Sequence, residues 1–386
     1  MKNIFKNILE KELAYFARLT YLKFRPYVFG ITGSSGKTTV RYMIAQLMRE
    51  TVGNTFEAQE NMNTETGLPM SVLGFKKPPI KLINWIYVFF AVPIKYFFTF
   101  KYPKYIVLEY AADKPGDISY LCDIIPPDVA IITNIGVAHI EAFGSVEKIA
   151  SEKWYLAQAA KQRIICDEQT YNLVKNIDIP RAEILISGQA KTAKATNIKY
   201  QSHETRFDLV LFGKEHPTSF SFWGAHNIAN IEKSVLAVST VSGDIPKIIR
   251  LIRDLKPGIG RGRRMIGKKN MLLIDESYNA NPLSMAAALD NLNQAGDGNK
   301  VAIIGEMKEI GPISKKAHLE VAKKAKDVAD LVVGVGDGFK GLGLDKWYQN
   351  VEELTGEIDS LIMENDIVLV KGSHAVHLEK IIERFG

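Results

Sequence analysis

The sequence predicts an α/β protein of two parts: a central P-loop domain with a mostly parallel sheet, then a C-terminal, Rossmann-like α/β domain. Three observations predict it. Val28-Phe29-Gly30-Ile31-Thr32 reads as a strand, Gly33-Ser34-Ser35-Gly36-Lys37-Thr38-Thr39 as a glycine-containing loop, and Met43, Ile44, Leu47 and Met48 as the apolar face of a helix. Short apolar runs alternate with helical patterns from 28 to 165, and again beyond 271. Between the two regions, Lys256-Pro257-Gly258-Ile259-Gly260-Arg261-Gly262-Arg263-Arg264 clusters glycine and proline and loses amphipathic period, as a linker does.

The glycine loop carries the first functional reading. Such a loop turns backbone N–H groups of Gly33, Ser34, Ser35, Gly36 and Thr39 toward a polyphosphate. Lys37 can reach the β/γ-phosphates, and the Thr38 hydroxyl can bind Mg²⁺. The full spacing G-x-x-x-x-G-K-[ST] would place glycine where Ile31 stands, but the core G-x-x-G-K-T is intact. The chain is therefore expected to bind a nucleoside triphosphate.

Composition bounds the rest. With 386 residues, 46% hydrophobic and 24% charged, the chain can build two or three domains. A net charge of +6 is a mild excess, and no Arg-rich helix or basic-aromatic patch points to nucleic acid. Cys122 and Cys166 offer no disulfide framework and no zinc spacing, which suits buried thiols in a reducing, cytoplasmic compartment.

Element by element, residues 1–27 form an N-terminal unit with no secretory signal. Ile4, Phe5, Ile8, Leu9, Leu13, Phe16 and Leu19 fall near helical spacing, and Lys2, Lys6, Lys11, Arg18, Lys23 and Arg25 outnumber Glu10 and Glu12. This basic amphipathic helix either packs on the next domain or touches a membrane surface. The first domain spans 28–256. It contains an aromatic insert, 80–105, in which Pro93 and Lys95 interrupt a run too early for the roughly 20 apolar residues of a membrane span. A lid or core helix and an interfacial membrane helix remain open for it. Tyr105–Glu109 is a buried strand ending in a carboxylate, and Val129–Asn134 is another. Ser145–Gln162 is helical, with a cap-and-acid start. From 184 to 222 short strands suggest an antiparallel piece, and Asn227–Val241 returns to helix. The second domain spans 257–386, with strands at Met271–Ile274, Val301–Ile304, Leu331–Val335 and Ile367–Val370.

Several stretches, in order, narrow the function. They are Asn61-Met62-Asn63-Thr64-Glu65-Thr66-Gly67, Glu109-Tyr110-Ala111-Ala112-Asp113-Lys114-Pro115-Gly116-Asp117-Ile118, Asn134-Ile135-Gly136-Val137-Ala138-His139, Glu152-Lys153, Gly224-Ala225-His226-Asn227, Asp275-Glu276-Ser277-Tyr278-Asn279-Ala280-Asn281-Pro282 and Lys371-Gly372-Ser373. Together they resemble the Mur ligase family over roughly 28–386, and Tyr-Asn-Ala-Asn-Pro and Pro-Gly-Asp-Ile point to its D-alanyl-D-alanine-adding branch. The family normally begins with a domain for the UDP part of its substrate, and here 27 residues precede the P-loop strand. That departure and the aromatic insert suggest an acceptor held differently, with the chain at the inner face of the membrane. His374 stands where related sequences usually carry arginine.

The resemblance implies an ATP-dependent amide ligase of peptidoglycan precursor synthesis, joining D-alanyl-D-alanine to a muramoyl-tripeptide carboxylate through an acyl phosphate. It is expected to work as a monomer. Lys37 would neutralise phosphate charge. Thr38, Glu109, His139 and a carbamate formed from CO2 on Lys153 would hold two Mg²⁺ ions. Asn227, Asn230, Arg261 and Asp275 would contact the nucleotide. Asn63, Thr64, Tyr278, Asn279, Asn281, Ser284 and Lys371 would shape the substrate pocket. The residues alone also admit duller readings: a surface histidine, a solvated helix lysine, a linker charge, a turn and a helix cap. Two readings compete with the ligase: a related two-domain ligase of the folylpolyglutamate type, and a non-catalytic nucleotide-binding scaffold.

Overall fold

The computed structural model describes residues 2–386 apart from 60, 78, 80, 81, 137–139, 179, 201–203, 222, 223, 257, 259 and 309. Its first sheet contains β1 (Tyr27–Thr32), β2 (Thr55–Glu57), β3 (Tyr105–Glu109), β4 (Val129–Ile132), β5 (Arg163–Asp167), β6 (Glu183–Ser187), β7 (Ala193–Tyr200), β8 (Thr205–Leu211) and β9 (Lys214–Phe220). Their order is β2-β3-β1-β4-β5-β6-β7-β8-β9. Pairing is parallel from β2 through β6 and antiparallel among β7, β8 and β9. The antiparallel piece expected near 184–222 is confined to β7–β9 and extends the edge of the main sheet; its first part is instead β6, a parallel strand.

The central strands are apolar throughout because both faces of a parallel sheet are covered. Alternate residues serve opposite cores. Val28, Ile106, Leu108, Ala130 and Ile132 face one, and Phe29, Ile31, Val107, Val129 and Ile131 the other. Five helices matter to the site and its surroundings: α1 (Lys2–Phe24), α2 (Lys37–Thr51), α3 (Gly67–Val72), α4 (Leu82–Phe98) and α5 (Asp117–Ile124). The chain leaves β1 at Thr32, and β3 and β4 flank it in parallel, so three carboxyl ends lie side by side. That is where ligands bind in open α/β sheets.

The second sheet contains β10 (Arg263–Ile266), β11 (Leu272–Glu276), β12 (Lys300–Gly305), β13 (Leu331–Val335), β14 (Lys346–Tyr348) and β15 (Ile367–Lys371), ordered β10-β11-β15-β12-β13-β14. In this sheet, among the described residues, only the β10–β11 pair is antiparallel. Arg263 and Arg264, read in sequence as part of a linker, are strand residues paired with Asp275 and Ile274. The helix read as Ser145–Gln162 runs from Val146 to Gln158, with the Ser145 side chain accepting from Lys148 N.

α1 packs on the first domain, burying Leu9, Leu13, Ala17, Thr20 and Tyr21. Their spacing of four, four, three and one places them on one helical stripe. α4 buries Val88, Ala91 and Val92. No helix among the described residues is long and apolar enough to cross a membrane.

Candidate active site

The loop after β1 is fixed by the strand beside it. Ser34 N donates to Asn134 O at 3.0 Å, Ser35 N to Asn134 Oδ1 at 2.9 Å, and Asn134 Nδ2 to Ser35 Oγ at 2.7 Å. Thr133 Oγ1 donates to Ser35 O at 2.5 Å. This closeness forces glycine at two positions. A Cβ on Gly33 would lie 1.9 Å from Thr133 Oγ1, and one on Gly36 would lie 3.0 Å from Asn230 Oδ1. Both residues have positive φ, 150° and 77°, which side chains disfavour.

α2 then begins at Lys37 with no side-chain cap. Its first N–H groups have no intrahelical partners, so the helix end presents donors and the positive end of its dipole to an anion. Lys37 Nζ donates to Gly33 O at 2.7 Å, folding back over the loop. Burial pushes the Lys37 ammonium down, Glu109 pulls it up, and Arg261 pushes it down. An incoming polyphosphate would relieve that crowding of cations.

A cavity of about 420 Å³ opens at this point and reaches from the first sheet to the second. On the first side it is lined by Ser34, Ser35, Gly36, Lys37, Thr38 and Thr39, by Asn63 and Glu109, and by Asn227 and Asn230. On the second side stand Arg261, Tyr278, Asn279, Asn281, Ser284 and Lys371. Gly33, Thr64, Lys153 and Asp275 do not line it, and His139 lies outside the described residues.

Glu109 ends β3 with its carboxylate buried. Arg41 Nε lies 3.4 Å from Glu109 Oε1 and 3.3 Å from Glu57 Oε1, and Asn63 Nδ2 donates to Glu109 Oε2 at 3.3 Å. Arg49 pairs with the same Glu57 at 2.6 Å. Burial raises the Glu57 carboxyl against the pull of Arg41 and Arg49. Glu109 and Thr38 offer oxygen donors in one cavity, the donor set a hard cation takes.

Lys153 is 4% exposed, on the helix Val146–Gln158. Burial is the main cause that lowers its pKa to about 7, and the Lys37 charge lowers it further. Its neighbour Glu152 accepts from Gly116 N and Ile118 N, both at 2.8 Å, and so fastens the start of α5. The Pro-Gly-Asp-Ile stretch is therefore a turn: Gly116 has φ 91°, and Asp117 Oδ2 accepts from Asp113 N and Lys114 N.

Asp275 organises the passage between the sheets. Its carboxylate accepts from Gly260 N at 3.1 Å and from Ser277 Oγ at 2.7 Å. Tyr278 lies beneath the Arg261 guanidinium, 3.9 Å from its ring centre, and meets His374 edge-on at 5.5 Å. Asn281 and Ser284 form a capping box on the helix Pro282–Asn293. Lys371 Nζ pairs with Glu276 Oε2 at 3.0 Å and donates to Asn279 O at 3.0 Å.

Asn61, Asn134, His226 and Glu276 stand in the family-like stretches without a role of their own, and Asp167, Gln169 and Lys233 are not marked by the sequence. Lys233 Nζ pairs with Asp167 Oδ2 at 3.0 Å, and both line the cavity with Gln169, Asn61, Asn134, His226 and Glu276. Burial raises the Asp167 carboxyl, but Lys233 and the Thr170 N–H outweigh it and hold it below its ordinary value. Burial likewise lowers His226, while Glu276 draws it up.

Comparison with known proteins fits this geometry. Residues 31–238 match the Mur ligase middle domain, and 260–374 match the Mur ligase, glutamate ligase domain. The UDP-N-acetylmuramoyl-tripeptide–D-alanyl-D-alanine ligase of Escherichia coli is 28% identical, over 92% of this chain and 76% of its own. The MurF ligase of Thermotoga maritima, solved with ADP, superposes with a TM-score of 0.81 at 28% identity, covering 97% of this chain and 82% of that one. Folylpolyglutamate synthase of Mycobacterium tuberculosis shares the fold, with a TM-score of 0.71 at 15% identity over 97% of this chain and 95% of that one.

Proposed function

We infer, because the chain belongs to the Mur ligase family, that it is an ATP-dependent amide ligase of peptidoglycan precursor synthesis. It joins D-alanyl-D-alanine to the carboxylate of a muramoyl-tripeptide, the reaction named for its relatives. The observation that carries this reading is one cavity lined both by the phosphate loop and by Tyr278, Asn281 and Lys371 of the second sheet. An energised acid and an amine need such a shared chamber.

In the reaction, a carboxylate oxygen of the acceptor attacks the γ-phosphorus of ATP, and ADP leaves. The dipeptide amine attacks the acyl phosphate, loses a proton, and the tetrahedral adduct expels phosphate. The protein's part is charge placement and alignment. Lys37 and the open end of α2 take the β- and γ-phosphates. Arg261 adds a second positive charge from the far side, held in place by the Tyr278 ring. Asn227, Asn230 and the Asp275-ordered turn hold the nucleotide's other end. Asn63, Asn279, Asn281, Ser284 and Lys371 orient the two substrates.

Thr38, Glu109 and His139 would hold Mg²⁺, which supplies further neutralisation of the phosphates. A pKa near 7 leaves much of Lys153 as the neutral amine that CO2 requires, which fits a carbamate there. The carbamate would supply an anion able to hold a second Mg²⁺. The monomer is proposed as the working unit, in the cytoplasm.

The test is turnover with ATP and a panel of acceptors and amines, with products weighed. The reading requires a product equal to acceptor plus D-alanyl-D-alanine less water, and phosphate release dependent on both. Phosphate released without either would oppose it.

A further inference from the structure

Away from the cavity, α4 is apolar around most of its circumference, with Asn84 and Lys95 on one side as its polar residues. Val88, Ala91 and Val92 are buried, and Trp85 and Phe89 pack on the same core. The other face exposes Ile86, Tyr87, Phe90, Ile94, Phe97 and Phe98, up to 72% for Phe98. These positions fall within one sector of the helical wheel and form a stripe along the axis. Phe100, just past the helix, is 78% exposed.

α1, packed against α4, also exposes Ile8, Tyr15 and Leu22. The two helices form one unit. The Phe16 and Tyr96 rings meet at 5.6 Å, and Phe24 stacks on Tyr102 at 5.0 Å. Lys23 Nζ donates to Tyr96 O and Thr99 O at 3.3 and 3.0 Å, closing the carbonyl end of α4.

Charge in the segment that carries the stripe has one sign. Residues 66–108 contain no Asp or Glu, but hold Lys76, Lys77, Lys81, Lys95, Lys101 and Lys104. Those six charges equal the +6 of the entire chain. Lys76 and Lys77 are exposed ahead of α4, and Lys101 and Lys104 behind it. Protein–protein interfaces are depleted in lysine, whereas aromatic faces rimmed by lysine suit the boundary between acyl chains and anionic headgroups. Between α1, α3 and α4 lies a cavity of about 200 Å³, bordered by Thr20, Ser71, Lys95, Tyr96, Lys101 and Tyr102. The buried hydroxyls of Thr20 and Ser71 have no hydrogen-bond partner in the structure.

We propose that α4, with the outer face of α1, docks peripherally on an anionic lipid bilayer. The aromatic stripe lies in the plane of the interface, and the lysines meet lipid phosphates. One headgroup phosphate enters the cavity beside Lys95 and Lys101, within reach of the Thr20 and Ser71 hydroxyls after a small shift. A 17-residue helix is about 26 Å long, short of a span and long enough to lie flat.

The test is sedimentation of the full chain, without ATP or acceptor, with vesicles of phosphatidylcholine alone or mixed with phosphatidylglycerol. The mixed vesicles should pellet about ten-fold more protein than the neutral ones, and added salt should release it. Tyr87→Ser/Phe90→Ser/Phe97→Ser/Phe98→Ser changes only exposed side chains and should cut pelleting about ten-fold with an unchanged melting curve. Lys76→Gln/Lys77→Gln/Lys101→Gln/Lys104→Gln should abolish the preference for anionic vesicles. The proposal fails if the wild-type chain stays in the supernatant, or if the serine variant pellets as well as wild type. It fails equally if vesicles are ignored while the wild-type chain forms a dimer that the serine variant dissolves, since the face then belongs to a second copy.

Discussion

The Tyr278 hydroxyl donates a 3.0 Å hydrogen bond to Asn61 Oδ1, joining the segment after β11 to the segment after β2 across the cavity. The same ring carries the Arg261 guanidinium on its face. One side chain thus links closure of the two sheets to the placement of a phosphate-facing cation. Tyr278→Phe removes the hydroxyl and keeps the ring. A neutral hydrogen bond contributes about 1 kcal/mol, so kcat/KM should fall roughly five-fold. Tyr278→Ala also frees Arg261, and steady-state kinetics should show a markedly larger loss.

Gly33 leaves no room for a methyl group, with Thr133 Oγ1 1.9 Å from where its Cβ would stand. Gly33→Ala should abolish ATP binding measured by calorimetry while both sheets still melt cooperatively. Lys37→Ala tests charge rather than shape: it should retain the fold and lose at least about 10²–10³ in kcat. ATP binding undisturbed by Gly33→Ala would exclude this loop as the phosphate cradle.

Arg41 is 1% exposed and stands between two carboxylates, Glu57 and Glu109. Arg41→Met leaves Glu109 buried with only the neutral Asn63 beside it, and Glu57 with Arg49 alone. Breaking a buried pair in this way costs about 3–5 kcal/mol, to be read from urea denaturation. A variant as stable as wild type would show that the two carboxylates do not depend on the Arg41 charge.

Lys153 has a folded pKa of about 7 against an ordinary 10.5. Between those values the unfolded chain holds the additional proton, so stability rises with pH from about 7 toward 10.5. Lys153→Met should flatten that rise in CO2-free buffer. Bicarbonate should stimulate the wild-type enzyme after CO2 removal, more strongly above pH 7 than below, and leave Lys153→Met inactive. Equal slopes in the two melting series would contradict the burial of a titrating amine.

What could be read from the sequence follows from what local chemistry dictates. β1, β3, β4, β12, β13 and β15 are continuous apolar runs, because parallel strands covered on both faces must be. β2, β10 and β14 are short and half-exposed, so no periodicity marked them. The phosphate loop was legible because its backbone demands glycine at 33 and 36. The Asp167–Lys233 pair was not. Its members lie on different elements, and each alone resembles an ordinary surface charge. Arg41 was hidden for the same reason: it reads as a helix cation until β2 and β3 bring Glu57 and Glu109 to it. Asp275 could be read as a site residue, but its work of ordering Gly260 and Ser277 depends on a turn that only the fold supplies.

The central claim is that the cavity between the sheets couples phosphoryl transfer to amide formation, and isotope transfer tests it most directly. The acceptor carboxylate is labelled with ¹⁸O, and the released phosphate is weighed after reaction with ATP and D-alanyl-D-alanine. The account predicts one labelled oxygen in each phosphate and ADP as the nucleotide product. Unlabelled phosphate, or label appearing in AMP, would contradict it.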